Sequence, residues 1–142
     1  MSEPPRVAPG QLVLRFLLEL GALVSVGALA AHVAKIVLGH SQLVPIGAIW
    51  IFAWLAALIV AGLVAVLWGV FAVPGDPSRS GRAPVAIPGW LRLALELLVF
   101  GLGAVALAAL GEFKLLALDV LALVVHHAGT LPRLRWLLQQ TP

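Results

Sequence analysis

Two short segments set acid and base side by side in stretches of chain that are otherwise apolar. Leu14-Arg15-Phe16-Leu17-Leu18-Glu19-Leu20 recurs as Leu91-Arg92-Leu93-Ala94-Leu95-Glu96-Leu97. On a helix, residues four apart share a face, so each segment brings a guanidinium to a carboxylate. Ionisable groups inside a lipid-facing run are costly and need partners. One reading is structural. Each Arg reaches the headgroups while its Glu pairs with it one turn deeper, which fixes helix rotation and register. Arg ahead of Glu is the less favourable order for an isolated helix pair, so helix propensity alone does not explain the motif. The other reading is chemical. A desolvated Glu19 or Glu96 keeps a proton and trades it, as a general acid on a lipophilic substrate or in a proton-coupled binding site.

His126 is the third titratable candidate, an inward partner for one of the glutamates. The adjacent His127 points to a different face, so the pair does not readily meet one ligand, and interfacial histidines at a helix end are the simpler reading. Glu19, Glu96 and His126 lack the Glu-x-x-His pattern of bundle carboxylate metal sites, so no metal is expected. No phosphate-loop, dinucleotide or nucleophile-elbow pattern occurs, and no cofactor is expected. The chain has no cysteine, which removes disulfides, thiolate sites and thiol catalysis.

The elements that must position these groups follow from composition. Of 142 residues, 62% are hydrophobic and 11% charged, against about 25% charged in a soluble domain. Mean hydropathy is +1.09. The bilayer is therefore the expected solvent, and the length allows a few spans of ~20 residues each. The net charge is +3, but the basic residues are few and scattered, which argues against nucleic acid and for membrane orientation. Arg6 before an apolar run imitates a secretory signal, but Arg15 and Glu19 interrupt its core, so cleavage is not expected.

The pattern predicts an all-α polytopic four-helix bundle. Residues 1–11 form a disordered tail, and spans cover about 12–31, 44–73, 90–110 and 115–129. Residues 32–43, with His32, Lys35 and His40, read as a polar connection. Pro74 to Gly89 reads as a mobile loop, and 131–142 as a basic interfacial tail with Trp136. Arg6, Arg15, Arg79, Arg82, Arg92, Arg133 and Arg135 fall on one side, Lys35 and Lys114 on the other. Seven against two predicts both termini in the cytoplasm. The two Arg/Glu segments then lie on the same side, which suggests two duplicated helical hairpins.

Depth brings the candidates together. At ~1.5 Å per residue, Glu19 and Glu96 lie ~10–12 Å inside the inner ends of their helices, and His126 comes near that level from the opposite direction. Arg15, Glu19, Trp68, Arg92, Glu96 and His126 are expected to form one inner-half polar cluster, with Glu19, Glu96 and His126 as acid/base groups. Arg15, Arg92 and Trp68 are the groups that would meet a substrate. A separate signal lies on the second helix. Ala53, Ala57, Ala61, Ala65 and Gly69 recur at a spacing of four, a ridge on which helix backbones approach closely, within the chain or in a homodimer.

Three groups of residues carry a resemblance. Leu17-Leu18-Glu19-Leu20, Leu67-Trp68-Gly69-Val70-Phe71-Ala72-Val73-Pro74 and Glu96-Leu97-Leu98-Val99-Phe100-Gly101 resemble the YrdB family of small bacterial integral membrane proteins. The resemblance runs from about Leu14 to Ala128. It implies about four spans in a bacterial inner membrane and brings no established activity. It singles out Glu19, Trp68, Pro74 and Glu96 as positions of the family pattern. The expected function is that of a structural or accessory membrane protein. Two alternatives are a membrane-embedded enzyme of isomerase or cyclase type acting on a lipophilic small molecule, with Trp68 stabilising a developing cation, and a small proton-coupled transporter.

Overall fold

The computed structural model describes residues 4–78 and 84–140. Five helices follow in order: α1 (Pro9–Gly39), α2 (Ile46–Val70), α3 (Gly89–Ala109), α4 (Phe113–Gly129) and α5 (Leu131–Leu138). The chain is mostly helical. α1, α2 and α3 are each long and apolar enough to cross a membrane, and α4 with α5 makes a fourth candidate bent by 69°. The polarity is inverted relative to a soluble bundle. Large side chains such as Phe16, Val24, Leu58, Leu63, Leu98 and Leu121 are exposed, while Arg15, Arg92, Glu96 and Arg133 are buried.

α1 is the central element and packs on α2, α3 and α4. It runs parallel to α3. Arg15 meets Glu96, 81 residues on, and Ala22 meets Gly103 at the same offset, 103 − 22 = 81. It runs antiparallel to α2, so that Gly27 faces Ala57 and Ala61 while Arg15 lies beside Trp68. Ala53 is buried, and over Ala57 and Ala61 the small-residue ridge packs within the chain. Ala65 borders a recess described below, and open space surrounds Gly69.

Four segments differ from the sequence expectation. α1 begins at Pro9, which suits the first helical position because its missing N–H has no partner there to lose. It then continues through the supposed polar connection to Gly39. Between Ala31 and Gly39 lies no helix breaker, and Lys35 finds a partner in the Trp50 ring, 4.8 Å away. α2 ends at Val70 instead of 73, where Phe71–Ala72 (β1) leaves the helix and pairs in parallel with Val85–Ala86 (β2). In the supposed mobile loop Asp76 and Ile87 are buried, as are Ala72 and Val73 just before it. Pro74 followed by Gly75 at φ +78° is the pairing a type II turn requires, closed by Asp76 N–H donating to the Val73 carbonyl. Arg79 and Arg82, expected to set orientation, lie outside the described residues.

The largest difference is the tail. Pro132 cannot continue α4, and the chain bends into a separate short helix. Arg133, Trp136 and Leu137, at the i, i+3, i+4 spacing of one helix face, are buried against the start of α3. A carbon added at Gly89 would overlap the Leu137 carbonyl, and the Gly89 N–H donates to the Gln140 carbonyl at 3.0 Å. This segment is therefore packed into the protein and is not a free interfacial tail.

Candidate functional site

Among the described residues, the end of the helix assembly where α1 and α3 begin and α2 and α4 finish holds nearly every buried charge. Glu96 is its centre. The side chain is fully buried and accepts three hydrogen bonds: Arg15 Nη1 to Oε2 at 3.1 Å, Arg133 Nη1 to Oε1 at 3.1 Å and Arg133 Nη2 to Oε2 at 3.0 Å. His126 is buried with Nε2 3.8 Å from Glu96 Oε1, beyond hydrogen-bond distance. Among the described residues neither of its ring nitrogens has a hydrogen-bond partner.

The two Arg/Glu segments do not behave alike, which corrects the expectation that each Arg pairs with its own Glu. Arg15 does: its Nε donates to Glu19 Oε1 at 2.9 Å. Arg92 instead donates through Nη1 to the carbonyls of Trp68 at 3.0 Å and Phe71 at 2.7 Å. Helix register is the cause. The sequence repeat has an offset of 92 − 15 = 77, whereas α1 and α3 pack at an offset of 81. The four-residue difference is one helical turn, ~6 Å. Glu96 therefore comes level with Arg15, and Arg92 lies one turn nearer the end, where α2 exposes its last carbonyls. A cation there is favoured by those unpaired oxygens and by the helix dipole.

Trp68 lies between the two cations. The Arg92 guanidinium carbon is 3.9 Å from the indole centroid and that of Arg15 is 5.1 Å away. Phe100 packs on the same ring at 5.7 Å. Desolvated cation–π contacts of this kind contribute ~2 kcal/mol or more.

Two members of the cluster were not among the expected site residues. Arg133 donates from Nε and Nη2 to the two oxygens of Asp76 at 2.9 and 2.8 Å, as well as to Glu96. Its planar fork serves two carboxylates at once, which a lysine could not match. Asp76 also accepts from the backbone N–H and hydroxyl of Ser78. Burial alone would raise the Asp76 carboxyl; the hydrogen bonds and charge of Arg133, with Ser78, outweigh it and hold the group below its ordinary value. Three guanidiniums and three carboxylates thus meet, and the set is neutral when His126 is uncharged. The sequence carried signals for both. Pro-Gly-Asp marks a tight turn, and the 133/136/137 spacing behind Pro132 marks an amphipathic helix start.

Glu19 differs from Glu96. Its side chain is 26% exposed and borders a recess of about 130 Å³ formed with Phe16, Leu20, Ala65 and Trp68. A carboxylate, a cation-stacked indole and apolar walls converge there. Among the described residues no group of three His, Cys, Asp or Glu side chains is arranged to hold a metal.

The family model described as "Protein of unknown function (DUF2568)" matches residues 13–125. The chain is 36% identical over 135 residues to the uncharacterized protein YrdB of Bacillus subtilis (strain 168), covering 91% of this chain and 94% of that protein. No solved structure matches. The chain belongs to the DUF2568 family, whose matched segment contains Arg15, Glu19, Trp68, Asp76, Arg92 and Glu96 and stops before His126 and Arg133.

Proposed function

We propose that this DUF2568 chain is a four-span membrane protein of structural or accessory type, and that its ion cluster ties the spans together at their cytoplasmic ends. The observation that carries the reading is Glu96. It is fully buried and saturated by Arg15 from α1 and Arg133 from α5. Arg133 extends the tie to Asp76 after α2, and Arg92 extends it to the end of α2. Charges so arranged fix register and rotation, because helices in lipid have no hydrophobic drive to associate. The gathering of arginines at one end agrees with orientation by positive charge, with both termini cytoplasmic.

The test is thermal unfolding in mild detergent of Glu96→Gln and Glu19→Gln against the parent. Removing one partner of a buried ion pair costs ~3–5 kcal/mol. Glu19 is partly exposed, and Arg15 keeps Glu96 when Glu19 is lost, so no buried charge is left unpaired and the cost is smaller. Glu96→Gln should melt far below the parent and Glu19→Gln close to it. A Glu96→Gln protein as stable as the parent overturns the reading.

A second reading rests on Glu19. Its recess beside Trp68 has the parts of an acid/base site for a lipophilic substrate, with Glu19 as acid and Trp68 facing a developing cation. A stable Glu19→Gln variant that fails to restore growth or lipid composition to a deletion strain, where the parent does, would favour it.

A further inference from the structure

In the half of α1 and α2 away from the ion cluster, the two helices line a groove of about 480 Å³. We propose that this groove holds one acyl chain of an anionic phospholipid, with the headgroup phosphate at Lys35. The volume lies within the range of ligand pockets, ~300–1,000 Å³. Its lining on α1 extends from Leu23 to Lys35, twelve residues or ~18 Å of helix, so the space is long and narrow like an extended chain. The floor is made by absent side chains. Gly27 and Ala53 are buried, and the Ala57 carbonyl oxygen lies 3.2 Å from where a Cβ of Gly27 would stand. The walls, Val24, Trp50, Trp54 and Leu58, are exposed, so the groove opens towards the surroundings and a chain can enter sideways.

Charge selects the occupant. Lys35 is the one charged residue lining the groove, and among the described residues no carboxylate pairs with it. It lies four residues before the end of α1, and Trp50 four residues after the start of α2, so both stand ~6 Å from the helix ends. That is the depth of the headgroups, where tryptophan and snorkelling lysine concentrate. In a bilayer an acyl chain gains little by leaving other acyl chains. Selectivity must therefore come from the head, at about five-fold for one lysine against one anionic lipid, the ratio that corresponds to ~1 kcal/mol.

The experiment is native mass spectrometry of the full chain released from detergent after equilibration with equal amounts of phosphatidylglycerol and phosphatidylcholine. The parent should retain one lipid, with phosphatidylglycerol favoured about five-fold. Lys35→Gln should retain a lipid without preference. Ala28→Phe, which fills the groove from an exposed position, should lose it while melting like the parent. Equal retention of the two lipids by the parent, or an unchanged preference in Lys35→Gln, overturns the proposal. So does an unchanged occupancy in a folded Ala28→Phe protein, or a lipid-free dimer, which would mean that a second copy covers the groove. Should Ala28→Phe melt early, the Lys35→Gln comparison decides alone.

Discussion

Replacing Arg133 with Gln should be among the most damaging single changes in this chain. Its guanidinium is 1% exposed and makes four hydrogen bonds, two to Asp76 and two to Glu96. Removing it leaves two buried carboxylates facing one another across the space it filled. Among the described residues Glu96 keeps its hydrogen bond from Arg15, with His126 nearby, and Asp76 keeps those from Ser78. Loss of one partner from one buried pair costs ~3–5 kcal/mol, so ~3 kcal/mol is a lower figure for a residue that serves two. At about 3 °C per kcal/mol for a chain of this size, the melting temperature should fall by ~10 °C or more. Circular dichroism in mild detergent gives the melting temperature. With the exposed Trp50, Trp54 and Trp90 replaced by Phe in parent and variants alike, fluorescence follows the local event, because Trp136 is 5% exposed on the same face of α5 and should shift to the red if that helix undocks. Arg133→Lys should recover only part of the loss, since an ammonium cannot present the planar fork to both carboxylates. Arg133→Gln melting within ~2 °C of the parent, or full recovery by Lys, would refute the view that this guanidinium closes the cluster.

Asp76 predicts a dependence on acid. Its folded value lies below the ordinary 3.8, so its contribution to stability is complete above about 3.8 and is lost as pH falls through the folded value. The melting temperature of the parent should drop more steeply below pH 4 than that of Asp76→Asn, and parallel curves would exclude Asp76 as the cause. Gly89→Ala places a carbon onto the Leu137 carbonyl. Overpacking of that kind costs ~1–3 kcal/mol, which should appear as a lower melting temperature and a red-shifted Trp136, and an unshifted protein would mean that α5 gives way freely.

The long apolar helices were legible because apolar run length is a local property, and so was the presence of charge in the first and third runs. That Arg15, Glu19, Trp68, Arg92, Glu96 and His126 lie near one level followed from rise per residue alone. The partners did not, because they depend on a register that no single segment contains. An offset of 77 between the motifs suggests two equivalent Arg–Glu pairs. The packed offset of 81 exchanges them, so that Glu96 takes Arg15 and Arg92 takes the carbonyls that end α2. Asp76 and Arg133 were hidden for a related reason. Each sits among residues that read as loop or tail, and burial of each rests on distant partners: Arg133 for Asp76, 57 residues away, and Asp76 together with Glu96 for Arg133.

The two ends of the helix assembly are therefore built on different physics. At the ion-cluster end, directional bonds hold α1, α2, α3 and α5 to one another, and their geometry leaves little freedom in register. Away from the cluster, α1 and α2 meet through Gly27, Ala53, Ala57 and Ala61, small-residue contacts weak per atom, and through Lys35 over the Trp50 ring. The groove runs along this contact, from Leu23 to Lys35 on α1. An occupant there would act on the spread of α1 and α2 without touching the ion cluster, so the cluster and the groove should respond independently to mutation. Glu96→Gln should lower thermal stability while leaving lipid preference unchanged in the fraction that stays folded, and Lys35→Gln should do the reverse. If either substitution moves both readouts, the cluster and the groove are one coupled unit, and the separation argued from their contacts is wrong.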